Sequence, residues 1–544
     1  MKSERNKTIL FKFIASGAVI LIFLLIEVTL RLFVPYSNKT ERLVDLGELT
    51  FFSKVTIKGE SWIRITSKYG YSEQQTTFKE RKSPDTYRIF CIGGSACAGW
   101  PHPANERFST YLDTCLRKIY PGHKIEIINC SAHGFASYRV REVFHQLIPF
   151  SPDAVIVWSG NNEFLEDQRF KTSKVQDVID ALAKRVRIVQ LAKNALPKKK
   201  LNGNEIDVAG SFWKKTQQQS LELCSDPRLA LKVREVYEQS IDAIAAEAAQ
   251  NKIKVLLFTV PVNLRDWQPN VSYCSLKNQD SINWIRSYNL GRNAFNNKDY
   301  QTANDYFKNA VSKEPLHAMT YFLLARTYEF LNDTISALRN YILAKDLDYN
   351  PFRAVTDFNE SVRRISVKHL NVSLFDAEKI LQKYGLHGIP GFDLFLDYVH
   401  PTRRGNLILA SELSEYIRQK NLLGIGNSDT QVDTSTLRSL LSDYNDKNDI
   451  TVQVTRFSMC CLTHQYQSAI SFGRSIMGNL PDNYLSNPSN TNDINKIKDG
   501  VKIFSRFLEV ENQELNSRVA DRDLESVKSS MDQFYKTYYP YGTF

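Results

Sequence analysis

The residues best suited to chemistry are a serine at the mouth of a buried strand and a histidine far downstream with an acid three positions before it. The run from Tyr87 to Ile92 is rich in β-branched and aromatic residues, and Gly93 and Gly94 close it, leaving Ser95 at the strand's end. In an open α/β sheet, ligands bind in the crevice outside the carboxyl ends of the strands. A serine hydroxyl is a weak nucleophile until a base takes its proton, and the base works best when a third group orients it. Asp397-Tyr-Val-His400 supplies both, with Pro401 next and a helix beginning near Arg404. Acyl transfer also needs donors aimed at the developing oxyanion. The candidates are the backbone N–H groups of Ser95 and Gly134 and the side-chain amide of Asn162, each at a strand-to-helix loop. Two other acid-x-x-His spacings, Glu142 with His145 and Glu314 with His317, fall in a predicted helix and at a repeat boundary, where ordinary surface or core roles are expected.

From Thr86 the pattern alternates between strand and helix. A helix is expected over roughly 105–120, with Phe108, Leu112, Cys115 and Leu116 at helical spacing. A strand over Lys124 to Cys130, a helix near Tyr138 to Leu147 and a fully apolar strand over Ala154 to Trp158 follow. That last strand runs into Ser159-Gly160-Asn161-Asn162-Glu163. A long helix over Pro227 to Gln250 precedes a strand over Lys254 to Val260, and the pattern resumes at Asn371 to Phe375 and ends with a helix over Arg404 to Gln419. Strands alternating with helices predict an α/β fold with a parallel sheet covered on both faces.

The four blocks, in this order, resemble the SGNH/GDSL hydrolase family, a three-layer α/β/α fold. Gly93-Gly94-Ser95 resembles its first block, Gly134 in Ala-His-Gly-Phe-Ala-Ser the second, Gly160-Asn161-Asn162-Glu163 the third and Asp397-Tyr-Val-His400-Pro the last. The resemblance covers roughly residues 86–415. It implies Ser95 as nucleophile, His400 as base, Asp397 as the group that orients it, and Gly134 and Asn162 as the rest of the oxyanion hole. Two positions depart from the pattern. Gly94 stands where an acidic residue usually precedes the serine, and Glu163 replaces the commoner Asp. Asn162 is preferred to Asn161 because it stands two residues after Gly160. No metal or organic cofactor is implied.

Between the sheet segments lies an internal repeat, from about residue 285 to 350. Leu290-Gly291, Ala303, Phe307 and Ala310 return 34 positions later as Leu324-Ala325, Ala337, Tyr341 and Ala344. The period and the small and aromatic positions resemble tetratricopeptide repeats, whose stacked hairpins present surfaces for a protein partner. Cys460, Tyr466, Ala469 and Pro481 echo the pattern, marking a degenerate third hairpin. Before the sheet, basic residues Lys2, Arg5, Lys7 and Lys12 precede an apolar stretch, and Ile9 to Val34 supplies the 20 or so residues that a membrane span needs. Glu27 and Arg31 interrupt it at i, i+4, close enough to pair. With positive charge before the span, the N-terminus is expected inside and the rest outside the cytoplasm.

The expected organisation is an anchor over 1–36, a lead-in over 37–85 with short strands, and a hydrolase-like domain in two parts, 86–284 and 351–420. The repeat insertion occupies 285–350 and a helical C-terminal region 421–544. Leu165 to Gly210 is expected to cap the site, and Gly424 to Thr434 to be a linker. The chain of 544 residues has a formal net charge of +11, which includes the Lys198 to Lys200 run. That balance suits an anionic membrane or envelope polymer, and without ribonucleoprotein or zinc-spacing motifs nucleic acid is not expected. The eight cysteines show no metal or redox spacing, although Cys224 and Cys274 could bridge in an oxidising space. The resulting expectation is a membrane-anchored, extracytoplasmic serine esterase acting on an ester or O-acylated carbohydrate or lipid. Its rivals are an O-acyltransferase for an envelope polysaccharide and a catalytically silent scaffold.

Overall fold

The computed structural model describes residues 14, 17–18, 21–32, 50–66, 77–166, 186–189, 191, 222, 226–424, 449–480, 490–515 and 521–538. The chain forms two compact units, one of Met1–Leu49 with Gln168–Gly203 and one of Thr50–Asp167 with Asn204–Phe544.

The second unit holds every candidate site residue. It begins with an antiparallel sheet of β1 (Phe52–Ile57), β2 (Glu60–Ile65) and β3 (Thr77–Lys79), short strands within the lead-in. Arg88 joins this sheet to the main one: its buried guanidinium donates to the Lys79 and Phe150 carbonyls, each at 2.9 Å, and to Glu126 at 2.7 Å. The main sheet then builds through β4 (Thr86–Gly93), α1 (Ser95–Ala98), α2 (Phe108–Ile119), β5 (Lys124–Asn129), α3 (Ser137–Leu147), β6 (Ala154–Trp158), α4 (Arg228–Gln250) and β7 (Lys254–Phe258). Four helices follow, α5 (Asn278–Asn296), α6 (Tyr300–Lys313), α7 (Ala318–Phe330) and α8 (Thr334–Asp346). After them come α9 (Thr356–Lys368), β8 (Val372–Phe375), α10 (Ala377–Tyr384) and α11 (Arg403–Gln419).

All neighbours in the five-stranded sheet are parallel, in the order β5-β4-β6-β7-β8. The step from β4 to β5 moves one way across the sheet, and every later step moves the other way. Right-handed crossovers therefore place α2 on one face and α3, α4 and α9 on the opposite one. The packing agrees: α2 lies against α11, while α3 and α9 lie against α4. With both faces covered, β6 is buried along its whole length and β4 from Arg88 onward. The connections after β4 and β6 leave toward opposite faces, which opens a crevice at their carboxyl ends.

The insertion consists of two antiparallel hairpins, α5 with α6 and α7 with α8, and the second helices start 34 positions apart at Tyr300 and Thr334. Ala303, Phe307 and Leu324 form its core. A Cβ on Gly291 would stand 2.8 Å from the Phe307 ring, so the glycine allows α5 to approach α6. The C-terminal region is helical, with α12 (Ile450–Leu462), α13 (Tyr466–Gly478), α14 (Thr491–Leu515) and α15 (Asp521–Tyr538). The first two form the hairpin expected there, with Cys460 and Ala469 buried; Pro481 lies outside the described residues.

In the first unit, residues 21–32 are helical, and the apolar side chains from Leu21 to Ile26 are all at least 45% exposed. Arg31 donates to Glu27 at 2.8 Å, the i, i+4 pair expected from sequence. The same carboxylate accepts the Arg187 and Ile188 N–H groups at 2.9 and 3.1 Å. Among the described residues, no helix is long and apolar enough to cross a membrane. The ends of the expected span from Ile9 to Val34 lie outside those residues, as do most of the expected cap, the Lys198 to Lys200 run, Cys224 and nearly all of the linker. Cys274 is a free thiol.

Candidate active site

Ser95 stands where β4 ends, as the first residue of the four-residue helix α1. Two glycines make that turn sterically feasible. A Cβ on Gly93 would lie 2.0 Å from the Trp158 carbonyl oxygen, and one on Gly94 would lie 2.4 Å from Asn162 Nδ2. The strand end thus closes tightly on the end of β6, and the Ser95 N–H heads a helix whose first donors have no partner within the helix.

Asp397 and His400 do not follow the last strand directly, because α10 and a long loop intervene between β8 and them. That loop folds on itself through a Phe395–Pro401 bridge and a 2.7 Å bond from the Leu396 N–H to the His400 carbonyl. The three-residue spacing has a clear geometric use. Asp397 Oδ1 accepts the Val399 and His400 N–H groups, both at 2.9 Å, while Oδ2 lies 2.6 Å from His400 Nδ1. One carboxylate oxygen therefore shapes the turn and the other holds the ring. On the far side of the ring, His400 Nε2 lies 2.8 Å from Ser95 Oγ. The partners assign the tautomer: the Nδ1 proton faces the carboxylate, leaving the Nε2 lone pair facing the hydroxyl. Asp397 and His400 are 1% and 4% exposed, whereas Ser95 is half-buried and reachable from solvent.

The other two candidates lie at the ends of the neighbouring strands. Gly134 follows β5 with a φ of 69°, a left-handed conformation that favours glycine. Asn162 is buried beside Gly94, and its Nδ2 donates to the Phe135 carbonyl at 3.1 Å. Asn161 turns elsewhere, its Oδ1 accepting the Ala354 N–H at 3.1 Å. The two asparagines thus point to different partners.

Several residues that support this arrangement carry no motif. Glu163, fully buried, accepts the Ser137 N–H at 2.8 Å and lies 2.8 Å from the Ser137 hydroxyl, and burial pushes its carboxyl up to about 8. Glu166 accepts the Ala136 N–H at 2.8 Å and pairs with Arg139. Together they fasten the Asn162 loop to the Gly134 loop. Asn263, after β7, donates to the Asp397 carbonyl at 3.0 Å, and its own carbonyl accepts from buried Arg353 at 2.7 Å. His102 donates to the Pro401 carbonyl at 2.8 Å, and burial pushes its imidazole down to about 4, keeping it neutral. Trp100 sets its edge against His400, with ring centroids 4.6 Å apart. These contacts go mostly to backbone groups, which have no sequence signature beyond the exposure of the partner.

The rival histidines take the roles expected of them. His145 pairs at the surface with Glu247 at 2.6 Å, and Glu314 accepts the Ser275 and Leu276 N–H groups while His317 caps α7. No group of His, Cys, Asp and Glu able to hold a metal occurs among the described residues.

No family model and no curated protein matches the chain. Among solved structures it is similar to an α/β hydrolase enzyme from the metagenome of Lake Arreo, Spain, at 12% identity over 62% of this chain and 96% of that one, with a TM-score of 0.29. A lipase/acylhydrolase from Enterococcus faecalis gives 12% identity, 61% and 96% coverage and a TM-score of 0.28. An acetylxylan esterase from Geobacillus stearothermophilus gives 12%, 62%, 95% and 0.29. Superposition at that level adds no weight to the site, which rests on the geometry of this chain's own residues.

Proposed function

We propose that this chain is a serine hydrolase of the SGNH/GDSL type that cleaves a carboxylic ester or O-acyl group through an acyl-enzyme on Ser95. The observation that carries the reading is the hydrogen-bonded line Ser95 Oγ–His400 Nε2 and His400 Nδ1–Asp397 Oδ2, at 2.8 and 2.6 Å. In the first half-reaction, Ser95 Oγ attacks the carbonyl carbon as His400 Nε2 takes its proton. The oxyanion is met by the Ser95 and Gly134 N–H groups and Asn162 Nδ2. His400 then gives the proton to the departing alkoxide, leaving the ester on Ser95. In the second, water attacks that ester with His400 again as base, and the acid leaves as Ser95 recovers its proton. Asp397 holds the imidazole in the required tautomer and stabilises its charged form.

The enzyme would be anchored by the N-terminal segment over residues 9–34, with its site outside the cytoplasm; the outward-facing apolar side chains of residues 21–32 support insertion into lipid. The two inserted hairpins would act as tetratricopeptide-like repeats offering a surface to a protein partner. Turnover of an activated ester by wild-type and Ser95→Ala proteins tests the reading. We expect the variant to fold and to lose activity by about a thousandfold or more; equal hydrolysis by the two would refute the assignment.

A further inference from the structure

The hydrolase reading leaves the C-terminal helices without a role, yet α12 reaches the loop that carries Asp397 and His400. We infer that Arg456, on α12, is a positioning residue for that loop, so that the C-terminal helices take part in the acid-base apparatus. The inference rests on the reading of Ser95 and His400 given above.

Arg456 is 5% exposed, and its Nη2 donates to the Phe392 carbonyl at 3.1 Å and to the Phe395 carbonyl at 3.2 Å. Those carbonyls bracket the root of the catalytic turn. Phe395 bridges to Pro401, and the next N–H, that of Leu396, binds the His400 carbonyl. The Phe392 ring is gripped as well, meeting Phe472 of α13 edge-on at 5.0 Å with the guanidinium 5.9 Å from its own centroid. A second tie holds a segment that also bonds this loop. The Gln465 side-chain amide exchanges two bonds with the Gln268 backbone, at 3.3 and 3.1 Å, next to the Asn263–Trp267 segment that steadies the Asp397 carbonyl. Hydrogen bonds from a charged donor are roughly twice as strong as neutral ones. A carbonyl that loses such a donor in a buried place must find another partner by moving. A shift of about 1 Å at the base can cost on the order of a hundredfold in rate. Lysine, whose flexible ammonium lacks the planar geometry that aims both Nη2 protons, would replace this contact only in part.

The test uses the full-length protein as wild type, Arg456→Met, Arg456→Lys and Gln465→Leu. Three quantities are read: kcat and KM on an activated ester well below each thermal midpoint, and the downfield proton resonance of His400 Nδ1–H. We expect Arg456→Met to lower kcat about 10- to 100-fold with KM within about twofold, to broaden or remove the resonance, and Arg456→Lys to recover part of both. Wild-type kcat and an intact resonance in Arg456→Met overturn the inference. If that variant does not fold, wild-type values in Arg456→Lys overturn it whatever Gln465→Leu does, and a fall in Arg456→Lys upholds it. Ser95-dependent activity that Arg456→Met retains sinks the positioning role alone. A wild type that turns over no ester but loses the resonance on substitution sinks the hydrolase reading and leaves the positioning role standing.

Discussion

Gly94 occupies a position where the family that the blocks resemble usually carries an acidic side chain, and the reason lies in its neighbour. Any Cβ there would come within 2.4 Å of Asn162 Nδ2, so in this chain the glycine and the inward asparagine are a matched pair. The backbone at Gly94 is extended, with φ −85° and ψ −165°, so space and not conformation requires the glycine. Gly94→Asp should therefore displace Asn162 and lower kcat by about a hundredfold, the usual cost of losing one oxyanion donor. Steady-state kinetics on an activated ester checks this, and unchanged kcat would show that Asn162 plays no such part. At this scale much was legible from sequence: Ser95, Asp397 and His400 lie in one hydrogen-bonded line. The choice of Asn162 over Asn161 followed from spacing alone, and the two side chains do point to different places.

At the scale of elements, the loops after β5 and β6 are tied together by a carboxyl that the sequence marks only as a departure. Glu163, at the end of the third block, reaches the first turn of α3 and so couples the loop after β6 to the loop after β5. Burial pushes its carboxyl from an ordinary 4.5 up to about 8, so the folded protein prefers it protonated. Its contribution to stability is complete below pH 4.5 and is lost as pH rises toward about 8, at a limiting slope of about 1.4 kcal/mol per pH unit. Glu163→Gln keeps an acceptor for the Ser137 N–H and a polar group facing its hydroxyl but cannot ionise. Thermal melts across this range should show wild type losing ground to Glu163→Gln as pH rises, then levelling. A difference independent of pH would contradict the account. Strand and helix limits were readable to within a few residues because continuous apolar runs and helical spacing report burial directly. The loop carrying Asp397 was not: α10 and a folded loop separate it from β8, and its shape depends on backbone bonds to Asn263, His102 and Arg456 that no periodicity encodes.

The whole molecule combines segments of different legibility. The 34-residue spacing of the inserted hairpins was visible because alanine, glycine and aromatic positions recur wherever two helices touch, as Gly291 and Phe307 do. The part played by the C-terminal helices was invisible, since it consists of one guanidinium and one amide acting on distant carbonyls. The proposed anchor gives a prediction for the intact protein. Removing residues 1–36 should move it from the membrane fraction to the soluble fraction while leaving kcat/KM on a soluble ester within about twofold, as expected of parts that do not share the chemistry. Retention in the membrane fraction would contradict anchoring by that segment.

Activation of the Ser95 hydroxyl by His400 should show itself in covalent capture. Full-length protein treated with a fluorophosphonate should gain one adduct, found by peptide mass spectrometry on Ser95, absent from Ser95→Ala and formed far more slowly in His400→Ala. A well-folded wild type that gains no adduct, or carries it on another residue, would contradict the account.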